Sequence, residues 1–494
     1  MNFSIIRYIL FMLVEFMAAL LAVPTLVCLI YGEWKDAIIF ASIALICLAS
    51  GFFFGYLKKP ENRTFYAREG FVTTALAWII LSLIGAVPFT VTGTIPNYLD
   101  AVFETVSGFT TTGATILTEI DGLTEFHRGV QFWRCFTHWV GGMGILVFML
   151  AILPMAGGYS MHLMKAESPG PSVGKYAPRV KDTAKILYSI YIAITLTEMV
   201  CLKITGLSVY ESMTLTFSTV GTGGFGLLGT SILEYSYATQ VVITIFMALC
   251  GVNFSVYYFL LTKKFKEAWH IDEMRWYFII MFASSILIAL NVVQNGVIAS
   301  FGEAFHHSMF TVASIMTTTG FATLDFNVWP QFSRTLIFLL TCIGACAGST
   351  GGGFKFSRII ILIRNAKNEV IKTLHPKSVQ KVYMDDHVVE DTTVKGTNAY
   401  LAIYTITFLT SFLLVAFFES FNVIDFEVFD FETNITAVAA TLNNVGPGLN
   451  MVGPTGGFHD FSWASKVVLI FDMLAGRLEL MPVLILFYRK TWHK

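Results

Sequence analysis

Residues 110–115 read TTTGAT, and they follow an apolar segment that is too short to cross a bilayer. The same arrangement recurs three times, as STVGTGGF at 218–225, TTTGFAT at 317–323 and NNVGPG at 443–448. The short apolar pieces lie near 99–109, 208–217, 304–316 and 432–442. Apolar segments of about 10–14 residues are candidates for re-entrant structure. The sequence therefore predicts four pore helices, each ending in a loop centred on a glycine: Gly113, Gly221, Gly320 and Gly446.

Longer apolar segments surround these clusters. A bilayer core needs roughly 20 mainly apolar residues per helix, and segments of this length lie near 8–31, 37–57, 72–93, 130–153, 184–206, 238–262, 276–294, 334–363, 399–418 and 464–488. After the first two, each span is followed by a pore helix, its cluster and a second span, which indicates an internal repeat. We expect an all-α polytopic membrane protein with about ten transmembrane helices and four re-entrant pore helices, in a pseudo-fourfold arrangement.

The repeat also predicts how the chain is divided. Residues 1–70 would form two leading transmembrane helices. Four pore repeats would follow at 71–165, 166–265, 266–375 and 376–494.

Composition excludes several classes of protein. Of 494 residues, 55% are hydrophobic and 13% are charged, whereas a soluble domain carries about 25% charged residues. The net charge of −1 leaves no basic footprint for nucleic acid. The seven cysteines lie without metal-ligand spacing, so neither a disulfide framework nor a zinc site is predicted. The sequence offers no paired nucleophile and base, so we do not expect an enzyme.

Basic residues cluster in alternate connections between the spans. They follow the second, fourth, sixth and eighth spans and end the chain, whereas the other connections carry mainly acidic residues. By the positive-inside rule, the basic connections and both termini are cytoplasmic. The first apolar run is too long for the core of a signal peptide, so we expect it to be retained as a transmembrane helix.

The four clusters have the chemistry of a cation filter. Irregular backbone at membrane depth is tolerated where it is buried in protein or lines a watery cavity, and four converging loops would meet this condition. Their carbonyl oxygens can replace the hydration shell of a cation. Glycine reaches positive φ without the steric penalty that other residues bear. The pore helices would enter from the acidic, outer side and point their partially negative C-terminal ends at the ion path.

Two further runs point to a family. WRCFTHWVGGMG at 133–144 follows the first cluster, and GACAGSTGGGFK at 344–355 interrupts the eighth span. With the four glycines and the two leading helices, these runs resemble the Trk/Ktr/HKT superfamily of potassium transporters, and most closely its TrkH-type subunit. The resemblance covers nearly the whole chain.

The resemblance implies potassium uptake at a bacterial inner membrane. It implies a homodimer, no cofactor in this chain, and a separate cytosolic regulatory ring of the TrkA type that would carry the nucleotide, ATP/ADP or NAD. Sodium-passing members of the family tend to have serine where this chain has Gly113, so potassium is the expected ion. The implied ion-binding backbone comprises Thr111, Thr112, Gly113, Thr219, Val220, Gly221, Thr318, Thr319, Gly320, Asn444, Val445 and Gly446.

The glycines of the eighth span are candidates for a gate. Each interior glycine costs a helix about 1 kcal/mol relative to alanine, so the run predicts a break in this span. The alternative is a packing kink, but the resemblance favours a mobile loop that obstructs the pore below the filter. The glycines are Gly344, Gly348, Gly351, Gly352 and Gly353.

Arg477 is the second gate candidate, because it lies in the middle of the last predicted span. An arginine at this depth should face the protein interior or water. The resemblance implies a pore residue that repels cations, and a structural salt bridge with Asp472 or Glu479 is the alternative.

Two transport mechanisms remain open at this point. Channel-like permeation driven by the membrane potential and gated by a cytosolic partner is the favoured one. The alternative is a proton- or sodium-coupled symporter, for which Glu15 and Glu198 are the main intramembrane carboxylates.

Overall fold

Helices dominate the fold, as the apolar segments predict. The structure is a computed structural model that describes residues 1–56, 65–144, 180–421 and 429–492, with the side chains of 180–184 left aside. Within these ranges the chain is helical apart from loops and one small hairpin. The predicted all-α membrane fold is confirmed.

Two helices lead the chain, α1 (Phe3–Tyr31) and α2 (Trp34–Gly51), and a π-helical turn (Phe52–Tyr56) continues α2. They pack tightly near the end of α2, where a Cβ added to Gly51 would lie 2.6 Å from the Cβ of Glu15. The missing side chain at Gly51 therefore lets the two helices approach closely.

The remaining helices form four successive groups, each with one pore helix. The first group contains α3 (Ala67–Thr92), pore helix α4 (Tyr98–Phe109), α5 (Ile120–Phe126) and α6 (Arg128–Gly142). The second contains α7 (Val180–Ile204), pore helix α8 (Val209–Val220), α9 (Tyr237–Cys250), α10 (Phe254–Leu261) and α11 (Phe265–Trp269).

The third and fourth groups follow the same order. The third contains α12 (Asp272–Gln294), pore helix α13 (Phe301–Met316), α14 (Gln331–Ile343) and α15 (Phe356–Leu374). The fourth contains α16 (Asp391–Glu419), pore helix α17 (Phe431–Leu442), α18 (Trp463–Arg477) and α19 (Met481–Phe487).

A short antiparallel hairpin lies between α15 and α16. Its strands are β1 (Tyr383–Met384) and β2 (His387–Val388), and Tyr383 pairs with Val388. The described residues also contain three 3-10 turns, at Phe326–Val328, Asn450–Val452 and Arg489–Thr491.

The pore helices lie in the interior, and three of the four begin at capping side chains. Asn97, Ser208 and Asp430 accept N–H groups in the first turns of α4, α8 and α17, which satisfies donors that a helix start leaves free. Every residue of α4 from Ala101 to Phe109 is buried. The long helices therefore form a sheath, and the ends of the pore helices lie at its centre.

In the part of the chain that the structure describes, six helices are long and apolar enough to cross a membrane by themselves. They are α1, α2 with its π-helical turn, α3, α7, α12 and α16. The consecutive helices α9 and α10 form a seventh candidate, although they meet at an angle of 91°. Within the described ranges, helices occupy all ten predicted positions.

Three predicted spans are broken rather than continuous. The segment predicted at 238–262 breaks between α9 and α10, and the one at 334–363 breaks between α14 and α15. The segment at 464–488 breaks between α18 and α19, where Glu479 and Leu480 have φ values of 54° and 66°. Positive φ is incompatible with a continuing right-handed helix. The end of the predicted span at 130–153 lies outside the described residues.

The predicted division into four repeats stays a prediction. One of its boundaries, at residue 70, falls inside the first turn of α3, which begins at Ala67. The boundary at residue 165 lies outside the described residues.

Candidate cation filter

Each pore helix runs into a short loop that carries one of the four clusters. We name residues 110–113, 221–224, 317–320 and 443–446 filter loops one to four. In each loop the N–H of the third residue donates to the carbonyl oxygen five residues back along the chain. The distance between donor nitrogen and acceptor oxygen is 2.9 Å for Thr112 and Val445, and 2.8 Å for Gly223 and Thr319. The loops therefore leave their helices in one shared conformation, and their residues can be matched one to one.

The second and fourth residues of every filter loop have positive φ. The second residues are Thr111, Thr222, Thr318 and Asn444, with φ of 54°, 54°, 59° and 55°. The fourth residues are Gly113, Gly224, Gly320 and Gly446, with φ of 80°, 81°, 85° and 94°. Residues other than glycine rarely adopt positive φ and hold it only when their surroundings impose it. The same strained pattern in four separate loops indicates a shared functional geometry.

The residues predicted for the second filter loop are three positions too early. Thr219 and Val220 belong to the last turn of α8, and Gly221 has a helical φ of −69°. The residues that match Thr111, Thr112 and Gly113 are Thr222, Gly223 and Gly224. The segment STVGTGGF offers three glycines, and its first one follows a Thr-Val pair that attracts the assignment. The backbone conformation, rather than the local sequence, matches Gly224 to the glycines of the other three loops.

The four filter loops close into a ring. A Cβ added to Gly113 would lie less than 3.0 Å from the carbonyl oxygen of Gly223 in the next loop. A Cβ added to each of the other filter glycines would also lie less than 3.0 Å from a carbonyl oxygen of the next loop. The pairs of glycine and carbonyl group are Gly224 with Thr319, Gly320 with Val445, and Gly446 with Thr112. Each filter glycine therefore packs against the carbonyl group that precedes the next filter glycine. The ring runs from loop one to loop four and back to loop one.

A cavity of about 200 Å³ lies directly against the ring. All four glycines of the ring line it, together with parts of the segments that follow filter loops one, two and four. Among the described residues that line this cavity there is no Asp or Glu side chain. The oxygen atoms of its lining are therefore those of backbone carbonyl groups and of hydroxyl side chains such as Thr115, Thr118 and Ser231.

Side chains connect filter loop four to filter loop one. Asn444 donates from its amide nitrogen to the hydroxyl oxygen of Thr112 at 3.0 Å and to the carbonyl oxygen of Met473 at 2.9 Å. In loop one, the hydroxyl groups of Thr110 and Thr112 are 2.8 Å apart. Asparagine in the fourth loop thus links the first and last loops of the ring through side chains.

A buried ion pair contacts the segments that follow filter loops one and two. Arg134 of α6 donates from Nε to Glu104 of α4 at 2.6 Å, and both side chains are almost fully buried. The Glu104 carboxylate also accepts the N–H of Ile116 at 3.0 Å, just after filter loop one. Arg134 donates to the carbonyl oxygen of Gly226 at 3.1 Å, just after filter loop two. The pair therefore fixes the exits of two neighbouring filter loops.

His138 of α6 makes a second connection between the same two loops. Its Nδ1 lies 2.8 Å from the carbonyl oxygen of Gly108 at the end of α4. Its Nε2 accepts the N–H of Phe225 at 3.3 Å. One ring nitrogen thus donates while the other accepts, as in neutral imidazole.

Sequence reasoning did not identify Glu104, Arg134 or His138 as part of the site. The sequence does contain a signal for these three residues, because ionisable residues inside apolar membrane segments are rare and mark functional or paired sites. Arg134 and His138 both lie within the run at 133–144 that supports the family resemblance.

The break between α14 and α15 lies directly beneath the ring. We name residues 344–355 the glycine-rich loop. The N–H of Gly352 donates to the hydroxyl oxygen of Thr318 at 2.7 Å. A Cβ on Gly351 would lie 2.9 Å from the carbonyl oxygen of Thr317, and one on Gly352 would lie 2.8 Å from that of Asn443. The loop therefore contacts filter loops three and four without space for side chains.

Arg477 ends α18 and reaches the same place. Its guanidinium group donates to the hydroxyl oxygen of Thr111 at 3.3 Å, to the carbonyl oxygen of Thr350 at 2.9 Å, and to the carbonyl oxygens of Gly141 and Gly142. It thus connects filter loop one, the glycine-rich loop and the end of α6.

The carboxylates considered as partners of Arg477 have other contacts. Glu479 forms an ion pair with Arg358 of α15. Asp472 accepts a hydrogen bond from Ser411 of α16 at 2.6 Å. These contacts place positive charge beneath the ring and take both carboxylates elsewhere.

The chain is similar over its whole length to proteins of one known family. The family model described as a cation transport protein, TrkH, matches residues 35–494. The Trk system potassium uptake protein TrkH of Escherichia coli strain K12 is 33% identical over 499 residues, which cover 100% of each chain. The protein of the same name from Vibrio parahaemolyticus is 33% identical over 497 residues, or 99% of each chain.

A solved structure agrees with these relatives. The crystal structure of the potassium transporter TrkH from Vibrio parahaemolyticus superposes with a TM-score of 0.85 at 31% identity, and it covers 100% of both chains. The family is one of transport proteins rather than enzymes. The chain belongs to the TrkH family of cation transport proteins.

Proposed function

We propose that this protein takes up potassium ions through the ring of the four filter loops. The observation that carries the proposal is the closed contact of each filter glycine with the preceding carbonyl group of the next loop. Carbonyl oxygens arranged in such a ring replace the hydration shell of a dehydrated cation. The TrkH relatives from Escherichia coli and Vibrio parahaemolyticus are named as potassium uptake proteins, which supports potassium as the ion.

The ion-binding residues of the proposal follow the observed conformation of the loops. They are Thr111, Thr112, Gly113, Thr222, Gly223, Gly224, Thr318, Thr319, Gly320, Asn444, Val445 and Gly446. The four groups of helices that carry them act as four pore repeats in a pseudo-fourfold arrangement.

The driving force is the membrane potential. Moving one charge across a potential of 100 mV is worth about 2.3 kcal/mol, so an interior-negative potential draws the cation inward. A ring of neutral carbonyl groups binds the ion without a permanent countercharge, which allows it to leave on the inner side.

The glycine-rich loop and Arg477 form the gate of this pathway. Both contact the filter loops, the loop at Thr318 and the guanidinium group at Thr111. The loop obstructs the path sterically, and the guanidinium group adds electrostatic repulsion. Opening requires the loop to leave its place below filter loops three and four.

A cytosolic partner controls the gate, and α15 offers it a docking surface. Ile363, Val370 and Leu374 lie on one side of this helix and are 65%, 63% and 71% exposed. Lys367 and Lys372 lie between them in the sequence. We assign this surface to the cytosolic side of a bacterial inner membrane, with both termini cytoplasmic. The partner is a TrkA-type ring that binds the regulatory nucleotide, ATP/ADP or NAD. The transporter itself is a homodimer.

Coupled symport is the second candidate, and Glu198 is the observation that favours it. This side chain of α7 is fully buried, and neither of its carboxylate oxygens has a hydrogen-bond partner in the described part of the chain. Glu198 is therefore the residue of α7 that would carry a coupled proton.

Electrical recording of the purified protein in planar bilayers distinguishes the two mechanisms. A channel-like pathway gives unitary currents that reverse at the potassium equilibrium potential. A proton-coupled symporter gives no unitary currents, and its reversal potential shifts with the pH gradient. Recording Glu198→Gln in parallel provides the control. If the protein is a symporter, this substitution should abolish the pH-dependent shift of the reversal potential. If it is a channel, the substitution should leave the unitary currents unchanged.

A further inference from the structure

Glu273 holds both ends of the glycine-rich loop with one oxygen atom. It lies in the first turn of α12 and is 2% exposed. Its Oε1 accepts the N–H of Ala347 at 2.6 Å and the N–H of Ser357 at 2.9 Å. Ala347 lies near the start of the loop, and Ser357 lies just after its end.

The glycine-rich loop also forms hydrogen bonds with the end of α9 and the start of α10, and these involve neutral groups. Cys346 donates its N–H to the carbonyl oxygen of Gly251 at 3.1 Å, and the carbonyl oxygen of Gly348 accepts the N–H of Phe254 at 3.0 Å. Among the hydrogen bonds of the described residues, Glu273 supplies the one carboxylate that the loop's backbone uses. Hydrogen bonds to a charged acceptor are roughly twice as strong as neutral ones. Glu273 therefore holds the start of the loop more strongly than these neutral contacts do, while the guanidinium groups of Arg477 and Arg358 donate to Thr350 and Phe354 nearer its end.

The neighbouring residue, Asp272, connects the same helical turn to the hairpin. Its N–H donates to the carboxylate of Asp385 at 2.8 Å, and its own carboxylate accepts the N–H of Asp385 at 3.3 Å. Asp272 also forms ion pairs with Arg275 at 2.6 Å and with Arg364 of α15 at 2.8 Å. Arg364 in turn donates to the carbonyl oxygen of Tyr383 in β1 at 2.6 Å.

Two consecutive residues thus connect the hairpin to the loop below the filter. Asp272 contacts Asp385 in the turn of the hairpin and Arg364 of α15, while Glu273 contacts the glycine-rich loop. A helix turn is stiff, so a displacement of Asp272 by the hairpin also displaces Glu273.

We propose that Glu273 is a positioning residue that holds the glycine-rich loop under the filter, and that the hairpin acts on the loop through Asp272. The proposal rests on the function proposed above only where it predicts ion flux. The position of the loop can be measured separately, because the loop contains a natural reporter, Cys346, whose side chain is fully buried.

The first experiment measures how fast a water-soluble thiol reagent modifies Cys346. The full chain is used, with the six other cysteines replaced, and is reconstituted in liposomes. We expect Glu273→Ala to raise the modification rate about tenfold, the effect of a shift of ~1.4 kcal/mol toward displaced loop positions. Glu273→Gln should raise the rate less, because its amide oxygen still accepts the two N–H groups. Glu273→Asp should resemble alanine, because its carboxylate falls short of them.

Two controls separate loop displacement from general loosening. Glu303→Ala removes a carboxylate from the first turn of α13 and should leave Cys346 protected. A variant that keeps only Cys342, in α14 just before the loop, should react at one rate with and without Glu273→Ala. An unchanged Cys346 rate in Glu273→Ala, or an equal rise at Cys342, overturns the proposal.

The hairpin part has its own test. Asp385→Ala removes the carboxylate that accepts the Asp272 N–H, so it should raise the Cys346 rate by a smaller factor than Glu273→Ala. An Asp385→Ala protein with wild-type reactivity at Cys346 overturns the role of the hairpin.

Potassium flux into the same liposomes relates the loop to the gate. A rise in both Cys346 reactivity and flux in Glu273→Ala supports the positioning role and the gate together. A rise in reactivity without a rise in flux supports the positioning role and contradicts the proposed gate.

Discussion

Gly224 shows how little space a filter residue has. Its φ is positive, and the carbonyl group of Thr319 occupies the position that a side chain would take. Any substitution there forces either the residue itself or the neighbouring filter loop to move. Gly226, two residues later, has a negative φ, and a Cβ there would lie 3.4 Å from its nearest neighbour atom.

The first prediction uses this pair of glycines. Gly224→Ser should reduce the preference for potassium over sodium in liposome flux measurements, because the displaced carbonyl group of Thr319 opens the ring. Gly226→Ser should retain the wild-type preference. If Gly221→Ser alters selectivity while Gly224→Ser does not, our matching of the second filter loop is incorrect.

The second prediction concerns the charge of Arg477. Charge repulsion at this depth can reach several kcal/mol in a low dielectric, so Arg477→Ala should speed potassium flux, and Arg477→Lys should retain much of the barrier. Thermal unfolding of each purified variant shows whether the protein stays intact. Lower stability together with unchanged flux would contradict the gate and indicate a structural role.

The third prediction concerns the buried ion pair behind the filter. Removing one member of a buried pair typically costs about 3–5 kcal/mol, because the remaining charge is left uncompensated. Glu104→Ala should therefore lower the melting temperature strongly. The double variant with Arg134→Met should recover part of the loss, and a double-mutant cycle measures the coupling. Strict additivity of the two losses would show that the pair does not support the filter loops.

At the scale of elements, the glycine-rich loop is an interrupted helix. The chain leaves α14 at Ile343 and resumes as α15 at Phe356. Between them, the loop rests on filter loops three and four through backbone contacts. Such a segment can be shortened without removing a core side chain.

The fourth prediction follows from this arrangement. Deleting residues 351–353 should raise potassium flux in the absence of any partner, because the part of the loop nearest Thr317 and Asn443 is removed. Deleting residues 295–297, a glycine-containing turn at the end of α12 where a Cβ on Gly296 would have no neighbouring atom within 4 Å, is the control and should leave flux unchanged. Folded protein with unaltered flux after the first deletion would favour a packing kink.

The elements themselves could largely be predicted from the sequence. Apolar length identifies the pore helices, and the glycine run predicts the break after α14. The breaks after α9 and α18 are not among the predictions, although Gly251 directly follows α9 and Pro482 lies in the first turn of α19. The chain turns between α18 and α19 at Glu479 and Leu480, which adopt a positive φ that such residue types rarely take.

At the scale of the whole molecule, the candidate site is a property of four loops together. Glycines could be identified locally, but the choice between Gly221 and Gly224 depends on which one meets Thr319, far away in the sequence. Arg134 and His138 likewise acquire their roles from contacts with loops on other helices. Such contacts have no local sequence pattern, so only the assembled structure reveals them.

The fifth prediction tests the assembled ring as a binding site. A ligand that binds only the folded state stabilises it, by about 2.7 kcal/mol at a concentration 100 times its Kd. Potassium should therefore raise the melting temperature of the purified protein more than sodium does at equal ionic strength. Gly224→Ser should lose this difference, and Gly226→Ser should keep it. Equal stabilisation by both ions in the wild-type protein would contradict a potassium-selective ring.

The contact between Gly446 and Thr112 has a consequence for biosynthesis. It joins the first filter loop to the last, so ribosomes must translate most of the message before the ring can close. A nascent chain that has inserted only its first three pore helices cannot form this ring. A chain that terminates before Gly446 lacks the contact that joins the last filter loop to the first.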